Sequence, residues 1–240
     1  MQNEFSRTEL LLGHAPMEKL RNSRVLVFGV GGVGSHCIEA LARSGIGTFT
    51  IVDNDVVSLT NINRQSIACH STIGQYKTQV MKDRILDINP RARVTAKEQF
   101  VLSDGIGELL EEKPDYIVDA IDTVTAKISL AVLAEERGIP IISSMGTGNK
   151  LDPSAFEIGD IYETSVCPLC RVMRRELKKR GVKRLTVLYS KEEPVLICSA
   201  GADLETKGAS GRSAPGSVSF VPPVAGLLMA GYVIRRLAGV

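Results

Sequence analysis

Residues 25 to 34 read VLVFGVGGVG, an apolar run followed directly by a loop that holds four glycines in six residues. The apolar run favours a buried β-strand, and residues 33–44 after it carry apolar side chains at helical spacing. Glycines let the backbone of such a turn approach a phosphate closely, and the helix N-terminus adds free N–H donors and a positive dipole end. The stretch predicts a nucleotide-binding loop whose glycines are Gly29, Gly31, Gly32 and Gly34.

Outward from this loop, short β-rich runs alternate with segments of helical periodicity. We predict strands over residues 25–28, 48–52, 116–120 and 139–143, and helices over residues 33–44, 75–86 and 125–137. Such alternation is typical of parallel strands joined by crossover helices. The chain is therefore expected to adopt an α/β fold with a doubly wound, mostly parallel sheet.

The rhythm changes beyond about residue 150, which predicts a C-terminal extension of strands and helices. It contains a strand-like run at 155–162, a basic helix after Pro168, an apolar run at 185–189 and a closing helix at 224–237. Residues 201–217 are rich in Gly, Ser and Ala, which predicts a loop. A length of 240 residues fits one domain, with a nucleotide-binding core at 1–150 and an extension at 151–240.

Composition excludes several classes of protein. The 29 Lys and Arg residues nearly balance the 27 Asp and Glu residues, for a net charge of +2. The longest apolar stretch, residues 220–234, is interrupted by two prolines and is shorter than the roughly 20 residues that cross a bilayer, so no membrane span is expected. The N-terminus shows no secretory signal, and five scattered cysteines do not resemble a disulfide framework. A reducing cytoplasm is the expected compartment.

Asp53 supports the nucleotide prediction. It ends the predicted strand after the glycine loop, about 20 residues on, where a carboxylate accepts hydrogen bonds from ribose hydroxyls. The loop and this acid together indicate a nucleotide without saying which one. An NAD-dependent oxidoreductase would use the same loop, and a glycine-rich turn without any ligand also fits it.

The residues that follow distinguish these alternatives. Residues 53–65 read DNDVVSLTNINRQ, residues 74–77 read GQYK and residues 119–122 read DAID. The order of glycine loop, DxD, NxxRQ, GxxK and DxxD resembles the ubiquitin-activating-like adenylating family, which includes the activators of the molybdopterin and thiamine sulfur carriers. The resemblance implies a Rossmann-like fold that binds ATP and magnesium and activates a carboxylate. An oxidoreductase would leave the later motifs without a role.

The same resemblance assigns roles to single residues. It implies that Arg64 and Lys77 contact the phosphates, that Asp122 holds magnesium, that Asp53 binds ribose and that Asn61 helps to orient the phosphates. Activation of a carboxylate by ATP needs such cations and a metal, because charge develops on the phosphate in the transition state. The plainer alternatives are solvated surface charges.

Two further residues, Arg7 and Asp119, are considered in the same way. Arg7 resembles the N-terminal arginine that family members donate to the partner subunit's catalytic site, so a homodimer is implied. Asp119, the first acid of DxxD, has the plainer alternative of capping the end of its strand.

The cysteines bear on the branch of the family. Sulfur-carrier activators usually hold a structural zinc ion with two CxxC pairs, because four soft ligands close a tetrahedral site. This chain has one such pair, Cys167 and Cys170, with Cys198 standing alone and no His after His70. We therefore expect no structural zinc, and the pair is open to interpretation as a relic, a redox pair or a plain helix start. None of these cysteines lies in a recognisable nucleophile motif.

Residues 171–184 form a basic segment, with eight Lys or Arg side chains against one Glu, a local charge of +7. Val172, Met173 and Leu177 have the spacing to pack one helix face, and the opposite face suits a polyanion. A solvated helix is the plainer alternative. The candidate residues for contact with such a polyanion are Arg171, Arg174, Arg175, Lys178 and Lys179.

The adenylating core, the incomplete cysteine set, this segment and residues 217–223, SVSFVPP, together look most like the branch that dehydrates threonylcarbamoyladenosine in tRNA. What this implies is adenylation of the side-chain carboxylate, attack by a carbonyl oxygen of the same side chain, and release of AMP as a ring closes. The alternative is an adenylyltransferase for the C-terminal carboxylate of a ubiquitin-like sulfur carrier. Contact with sulfur-relay proteins is left open.

Overall fold

The computed structural model describes residues 2–100, 103–196 and 215–240. Cys198 and most of the loop predicted at 201–217 lie outside the described residues. In the described part, seven strands form one sheet in the order β3-β2-β1-β4-β5-β7-β6. The strands are β1 Arg24–Phe28, β2 Thr48–Val52, β3 Arg93–Lys97, β4 Tyr116–Asp119, β5 Ile141–Ser144, β6 Phe156–Asp160 and β7 Thr186–Ser190. Neighbouring strands are parallel except β6 and β7, which are antiparallel.

Helices cover both faces of this sheet. They are α1 Ser6–Leu12, α2 His14–Asn22, α3 Gly34–Arg43, α4 Lys77–Ile88, α5 Ser103–Leu110, α6 Val124–Glu136, α7 Pro168–Lys179 and α8 Val221–Ala238. One face packs against α2, α3, α4 and α8, and the other against α5, α6 and α7. None of the helices in these described ranges is long and apolar enough to span a membrane.

Strand β1 shows why its sequence is apolar throughout. Val25 and Val27 join the cluster beneath α3 and α8, whereas Leu26 and Phe28 join the cluster beneath α5 and α6. Successive side chains of a strand point to opposite faces, and a parallel sheet has helices on both, so each position is buried. The doubly wound, mostly parallel arrangement predicted from the alternation is confirmed.

The strand order places a crevice beside the glycine loop. From β1 the chain winds outward through β2 and β3, and then returns to β4 on the other side of β1. Parallel sheets bind ligands outside the carboxyl ends of the strands at such a reversal. The glycine loop follows β1, and the loop after β4 carries Asp122, so both border this crevice.

The predicted boundaries agree with the structure within two residues for the four core strands and for α3, α4 and α6, whereas α8 begins three residues earlier than predicted. Helix α6 ends as its sequence indicates, because Gly138 adopts the left-handed conformation (φ 65°) just beyond it. The periodicity analysis did not assign α1, α2, β3 or α5. Among the described strands β3 pairs with β2 alone, at the edge of the sheet, and its side chains are partly exposed, so it lacks the continuous apolar run of an inner strand.

Candidate functional site

The glycine loop packs directly on the loop between β4 and α6. Gly29 has a φ of 91°, and a Cβ placed on it would lie 2.7 Å from the carbonyl oxygen of Ala120. A Cβ on Gly34 would overlap the carbonyl oxygen of Gly29. Both positions therefore require glycine, one for its conformation and both for space. Helix α3 begins at Gly34, so its free N–H groups face the crevice, where an anion is stabilised.

Asp53 is tied to the backbone of the glycine loop. Its Oδ2 accepts a hydrogen bond from the amide of Val30 (2.7 Å), and its Oδ1 accepts one from the amide of Asp55 (2.8 Å). Desolvation raises the pKa of Asp53, while the nearby Lys77 and these two N–H groups oppose the rise. Each carboxylate oxygen keeps a further lone pair, so the side chain still has capacity to accept from ribose hydroxyls.

Lys77 is the first residue of α4 and is 95% buried, with only 5% of its surface exposed. A β-bridge between Val56 and Tyr76 holds this helix start against the loop after β2. The Lys77 ammonium donates to Oδ2 of Asp55 at 2.7 Å, and the Asp55 side chain is largely exposed. The structure thus places a buried cation next to an acid at the rim of the crevice.

The side chain of Arg64, from the segment after β2, lies against the glycine loop at Gly32. A Cβ placed on Gly32 would lie 3.3 Å from Cγ of Arg64. Its guanidinium donates to the carbonyl oxygen of Thr60 (2.9 Å) and to Oδ1 of Asn63 (2.8 Å). Burial lowers the pKa of Arg64 from its ordinary value, which is high enough that the group keeps its charge.

Asn61 is buried in the turn that carries Arg64. Its Oδ1 accepts a hydrogen bond from the amide of Ser58 at 3.1 Å. The amide oxygen therefore caps its own turn. Orientation of phosphates by Asn61 stays a prediction.

The two acids of the DxxD motif have different environments. Asp119 is fully buried and both of its oxygens accept from the ammonium of Lys127 at 3.0 Å. It also accepts from the amide of Ile121 at 3.3 Å, so the strand-end cap is present but forms only part of its role. Asp122 is exposed and has no hydrogen bond or ion pair with any residue that the structure describes. The sequence analysis missed Lys127, whose signal is a lysine within an apolar helix.

Arg7 is not brought to the glycine loop of its own chain. Phe5 packs beside Gly45, and Glu4 pairs with Arg91 at 2.8 Å. Both contacts lie at the amino ends of β2 and β3, whereas the glycine loop follows the carboxyl end of β1. The two edges are separated by a five-residue strand, about 16 Å. Arg7 itself is exposed on α1.

The C-terminal extension reaches the glycine loop. The side-chain amide of Asn63 donates to the carbonyl oxygen of Ser217 at 3.0 Å. A Cβ on Gly32 would lie 3.0 Å from Cβ of Pro222, at the start of α8. The segment at 217–223 thus borders the crevice together with Arg64, a placement that its sequence did not indicate.

Helix α7 carries the basic segment with a narrower apolar stripe than predicted. Met173 and Leu177 are buried together with Cys170, but Val172 is 39% exposed, so its predicted packing is wrong. The buried positions are three and four residues apart, and Val172 lies off this line because one residue rotates a helix by about 100°.

The cations of α7 differ in their partners. Glu176 pairs with Arg175, Lys179 and Arg180 at 2.9 to 3.2 Å, and these partners lower the pKa of Glu176 to about 2. Arg174 is half-buried and donates to the carbonyl oxygen of Thr164 at 2.9 Å. Arg171 and Lys178 are exposed and pair with no acid in the described ranges.

The CxxC pair opens this helix. Cys167 is the N-cap residue of α7, followed by Pro168, so the pair does act as a helix start. The Cys170 thiol donates to Cys167, which together with nearby backbone N–H groups lowers the pKa of Cys167 to about 6. Both cysteines are buried. Among the residues that the structure describes, no three His, Cys, Asp or Glu side chains come together to hold a metal ion.

The assembled edge suits a phosphate-bearing ligand. It combines a backbone that accepts close approach, a helix N-terminus, two cations from different segments and a free carboxylate. A nucleoside triphosphate requires donors and cations of this kind around its phosphates.

Comparisons with known proteins agree with this geometry. The model of the ThiF family matches residues 5–240. The chain is 45% identical to the tRNA threonylcarbamoyladenosine dehydratase of Bacillus subtilis, over 99% of this chain and 95% of that protein. It is also similar to crystal structures of the Escherichia coli dehydratase TcdA in complex with ATP (TM-score 0.87) and with AMP (TM-score 0.88). In both cases the identity is 30%, over 98% of this chain and 94% of that chain.

Proposed function

Because this chain belongs to the ThiF family, we propose that it uses ATP to adenylate and cyclise threonylcarbamoyladenosine in tRNA. The observation that carries the proposal is the match to the dehydratase of Bacillus subtilis along nearly the entire length of both proteins. The match includes the C-terminal extension, where the acceptor of an adenylating enzyme is expected to bind, as well as the ATP core.

ATP fits the crevice with its phosphates on the glycine loop. The N-terminus of α3 and the side chain of Arg64 both lie close to Gly32, so both are placed to contact a phosphate group bound on the loop. Lys77 approaches from α4 and exchanges Asp55 for a phosphate oxygen, since both partners are anionic. Asp53 keeps its bonds to the loop and accepts from the ribose. The binding of ATP and AMP by TcdA supports this placement.

A magnesium ion fits the free carboxylate. Asp122 is exposed at the crevice and forms no competing bond with the described residues. Magnesium in phosphoryl-transfer sites is held by one or two carboxylates together with substrate phosphates, so a single acid suffices. Bound there, the ion would neutralise charge on the phosphates.

The chemistry proceeds in two displacements. The carboxylate of the threonylcarbamoyl group attacks the α-phosphorus of ATP, and pyrophosphate leaves. A neighbouring atom of the same side chain then attacks the activated carboxyl carbon, AMP leaves and a ring closes with net loss of water. Arg64 and Lys77 stabilise the charge that develops during the first displacement. No enzyme thioester takes part, so neither cysteine of α7 is needed as a nucleophile.

The tRNA is proposed to lie along α7. Arg171 and Lys178 are the side chains best placed to bind its phosphates, since they pair with no acid in the described part of the chain. Arg175 and Lys179 are exposed but share Glu176, and Arg174 is held by Thr164, so their contributions are smaller.

The second copy of a homodimer is proposed to supply Arg7. Within one chain Arg7 lies at the opposite edge of the sheet from the glycine loop. Leu10 and Leu11 of the same helix are 89% and 84% exposed, and Leu227 of α8 is 52% exposed. These apolar side chains suit an interface between copies.

Release of AMP tests the proposed reaction. The chain should release AMP from ATP with tRNA that bears threonylcarbamoyladenosine, and much less with the same tRNA transcribed without the modification. Equal release with both tRNAs would overturn the assignment. Adenylation of a ubiquitin-like carrier that ends in Gly-Gly, with tRNA inert, would establish the sulfur-carrier alternative. Tight binding of NADH without binding of ATP would favour an oxidoreductase.

A further inference from the structure

A buried ion pair lies directly behind the proposed magnesium ligand. The ammonium of Lys127 donates to both oxygens of Asp119 at 3.0 Å, to the carbonyl oxygen of Ser144 at 2.7 Å and to the hydroxyl of Ser143 at 3.3 Å. The Ser143 hydroxyl also donates to Asp119 at 2.5 Å. Lys127 and Asp119 are 1% and 0% exposed. The pair thus joins α6 to the carboxyl ends of β4 and β5.

Stability alone does not explain a buried ion pair at this position. Removal of two charges from water is costly, and apolar residues of similar volume often replace a buried pair without loss of stability. All hydrogen-bonding capacity of the ammonium is used here, so the pair fixes geometry. The geometry that it fixes is the alignment of the ends of two strands with the first turn of a helix.

Both ends of the Asp122 loop are attached to this pair. On one side Asp119 accepts from the amide of Ile121 at 3.3 Å, and on the other the amide of Lys127 donates to the carbonyl oxygen of Thr123 at 3.0 Å. Between these points the loop contains Asp122. The same loop packs on the glycine loop through Ala120, whose amide donates to the carbonyl oxygen of Phe28 at 2.8 Å.

We propose that Lys127 is a positioning residue that, through Asp119, holds the Asp122 loop against the glycine loop and aims the Asp122 carboxylate at the metal of bound ATP. The inference rests on the proposed function for the metal but does not depend on tRNA. Without the pair, residues 120–123 would keep their sequence and their exposed carboxylate but lose the attachments that orient it.

The test compares three variants. Lys127→Met alone leaves an unpaired buried carboxylate and is expected to unfold more easily. The double variant Lys127→Met with Asp119→Asn removes both charges and is expected to fold. Lys19→Met is the control for loss of a lysine ammonium, because Lys19 is an exposed lysine that donates to the carbonyl oxygen of Ala238 at 3.1 Å, away from the crevice.

Two measurements without tRNA decide the outcome. Affinity for Mn·ATP, followed by electron paramagnetic resonance of the manganese, should fall by about 10- to 100-fold in the double variant, as for other partners that orient metal ligands. Hydrogen exchange of the Ile121 amide should accelerate in the double variant, while the exchange of β1 stays unchanged. Lys19→Met should match the wild type in both measurements.

Wild-type affinity for Mn·ATP and wild-type exchange at Ile121 in the folded double variant would overturn the inference. Faster exchange with unchanged affinity would also overturn it, because the pair would then order the loop without aiming Asp122. If the wild-type chain itself fails to bind Mn·ATP, the proposed function and the aim of Asp122 both fail. Activity with tRNA plays no part in these outcomes, so a wrong tRNA assignment would leave them intact.

Discussion

Asp119 and Asp122 are three residues apart in the chain, but the first is buried and the second is exposed. Asp119 is buried against Lys127, whereas Asp122 faces the crevice without a partner in the described part of the chain. An exposed acid that forms no bond with the described residues is expected to contribute little to stability. The role proposed for Asp122 is to bind a metal ion.

Substitution of Asp122 should therefore separate activity from folding. Asp122→Asn is expected to lose nearly all AMP release, because a neutral amide is a poor magnesium ligand, while the thermal midpoint stays within the range of surface substitutions. Asp87→Asn on the exposed face of α4 is the control. Turnover close to wild type in Asp122→Asn would refute the metal assignment.

Lys77 is expected to act on the transition state. Lys77→Met should raise the barrier of adenylation by about 3 kcal/mol, the scale of one lost electrostatic contact, or on the order of a hundredfold in kcat. Its only ion pair in the described residues is with an exposed carboxylate, so the loss of stability should be small. Lys82→Met on the same helix is the control. An effect on KM for ATP alone would contradict the assignment, because it would mean equal binding of ground and transition states.

Helices α3 and α8 pack closely at Gly226. A Cβ there would overlap the carbonyl oxygen of Val33 and lie 2.9 Å from the amide nitrogen of Cys37. Val33 belongs to the glycine loop, so this contact joins the C-terminal extension to the nucleotide site. The packing of α8 on α3 therefore supports the glycine loop at Val33.

The variant Gly226→Ala should separate these two helices. We expect a loss of about 1–3 kcal/mol in the free energy of unfolding from overpacking, measured by urea denaturation. Gly231→Ala on the same helix is the matched control, since nothing lies within 4 Å of the Cβ it would add. That control should be neutral or gain up to about 1 kcal/mol from helix propensity. Equal effects of both substitutions would show that the close crossing carries no constraint.

Helix α7 should contribute salt-dependent affinity for tRNA. Neutralisation of Arg171 and Lys178 to Gln should reduce the slope of log affinity against log salt by roughly 1–2, because each phosphate contact releases about one counterion. The matched control neutralises Lys82 and Lys113, which changes the net charge equally elsewhere on the surface. Filter binding across several salt concentrations measures the slope. If both pairs of substitutions change it equally, α7 has no specific role.

The whole molecule is expected to work as a dimer because one chain cannot bring Arg7 to its own crevice. A mixture of Arg7→Ala and Asp122→Ala chains tests this directly. Each variant alone should be inactive, whereas a mixed dimer contains one site with both residues intact. After random exchange of subunits, the mixture should regain about a quarter of wild-type activity, since half of the dimers carry one good site. Native mass spectrometry verifies the exchange, because the two variant chains differ in mass, and an inactive mixture of verified mixed dimers would exclude donation of Arg7 across the interface.

The sequence by itself determined the core of this protein. The alternation of apolar runs and helical segments specified the parallel strands and their crossover helices. A strand of such a sheet is apolar throughout because both of its faces are buried, whereas a helix is apolar along one stripe. The glycine loop and Asp53 were readable since their roles depend on local backbone conformation and a fixed spacing along one βαβ unit. The motifs around Arg64, Lys77 and Asp122 were likewise contiguous, and the whole-chain match to a dehydratase agrees with them.

The tertiary structure alone decided which of these residues meet. Asp119 and Lys127 form a pair with Ser144 through the adjacency of β4 and β5, which no local pattern encodes. The contact of Pro222 with the glycine loop joins residues 190 positions apart in the chain. Val172 and Arg174 likewise took their exposure from the neighbours of α7 and not from their side-chain type. Contacts between distant segments depend on how the elements pack, and packing is a property of the folded chain.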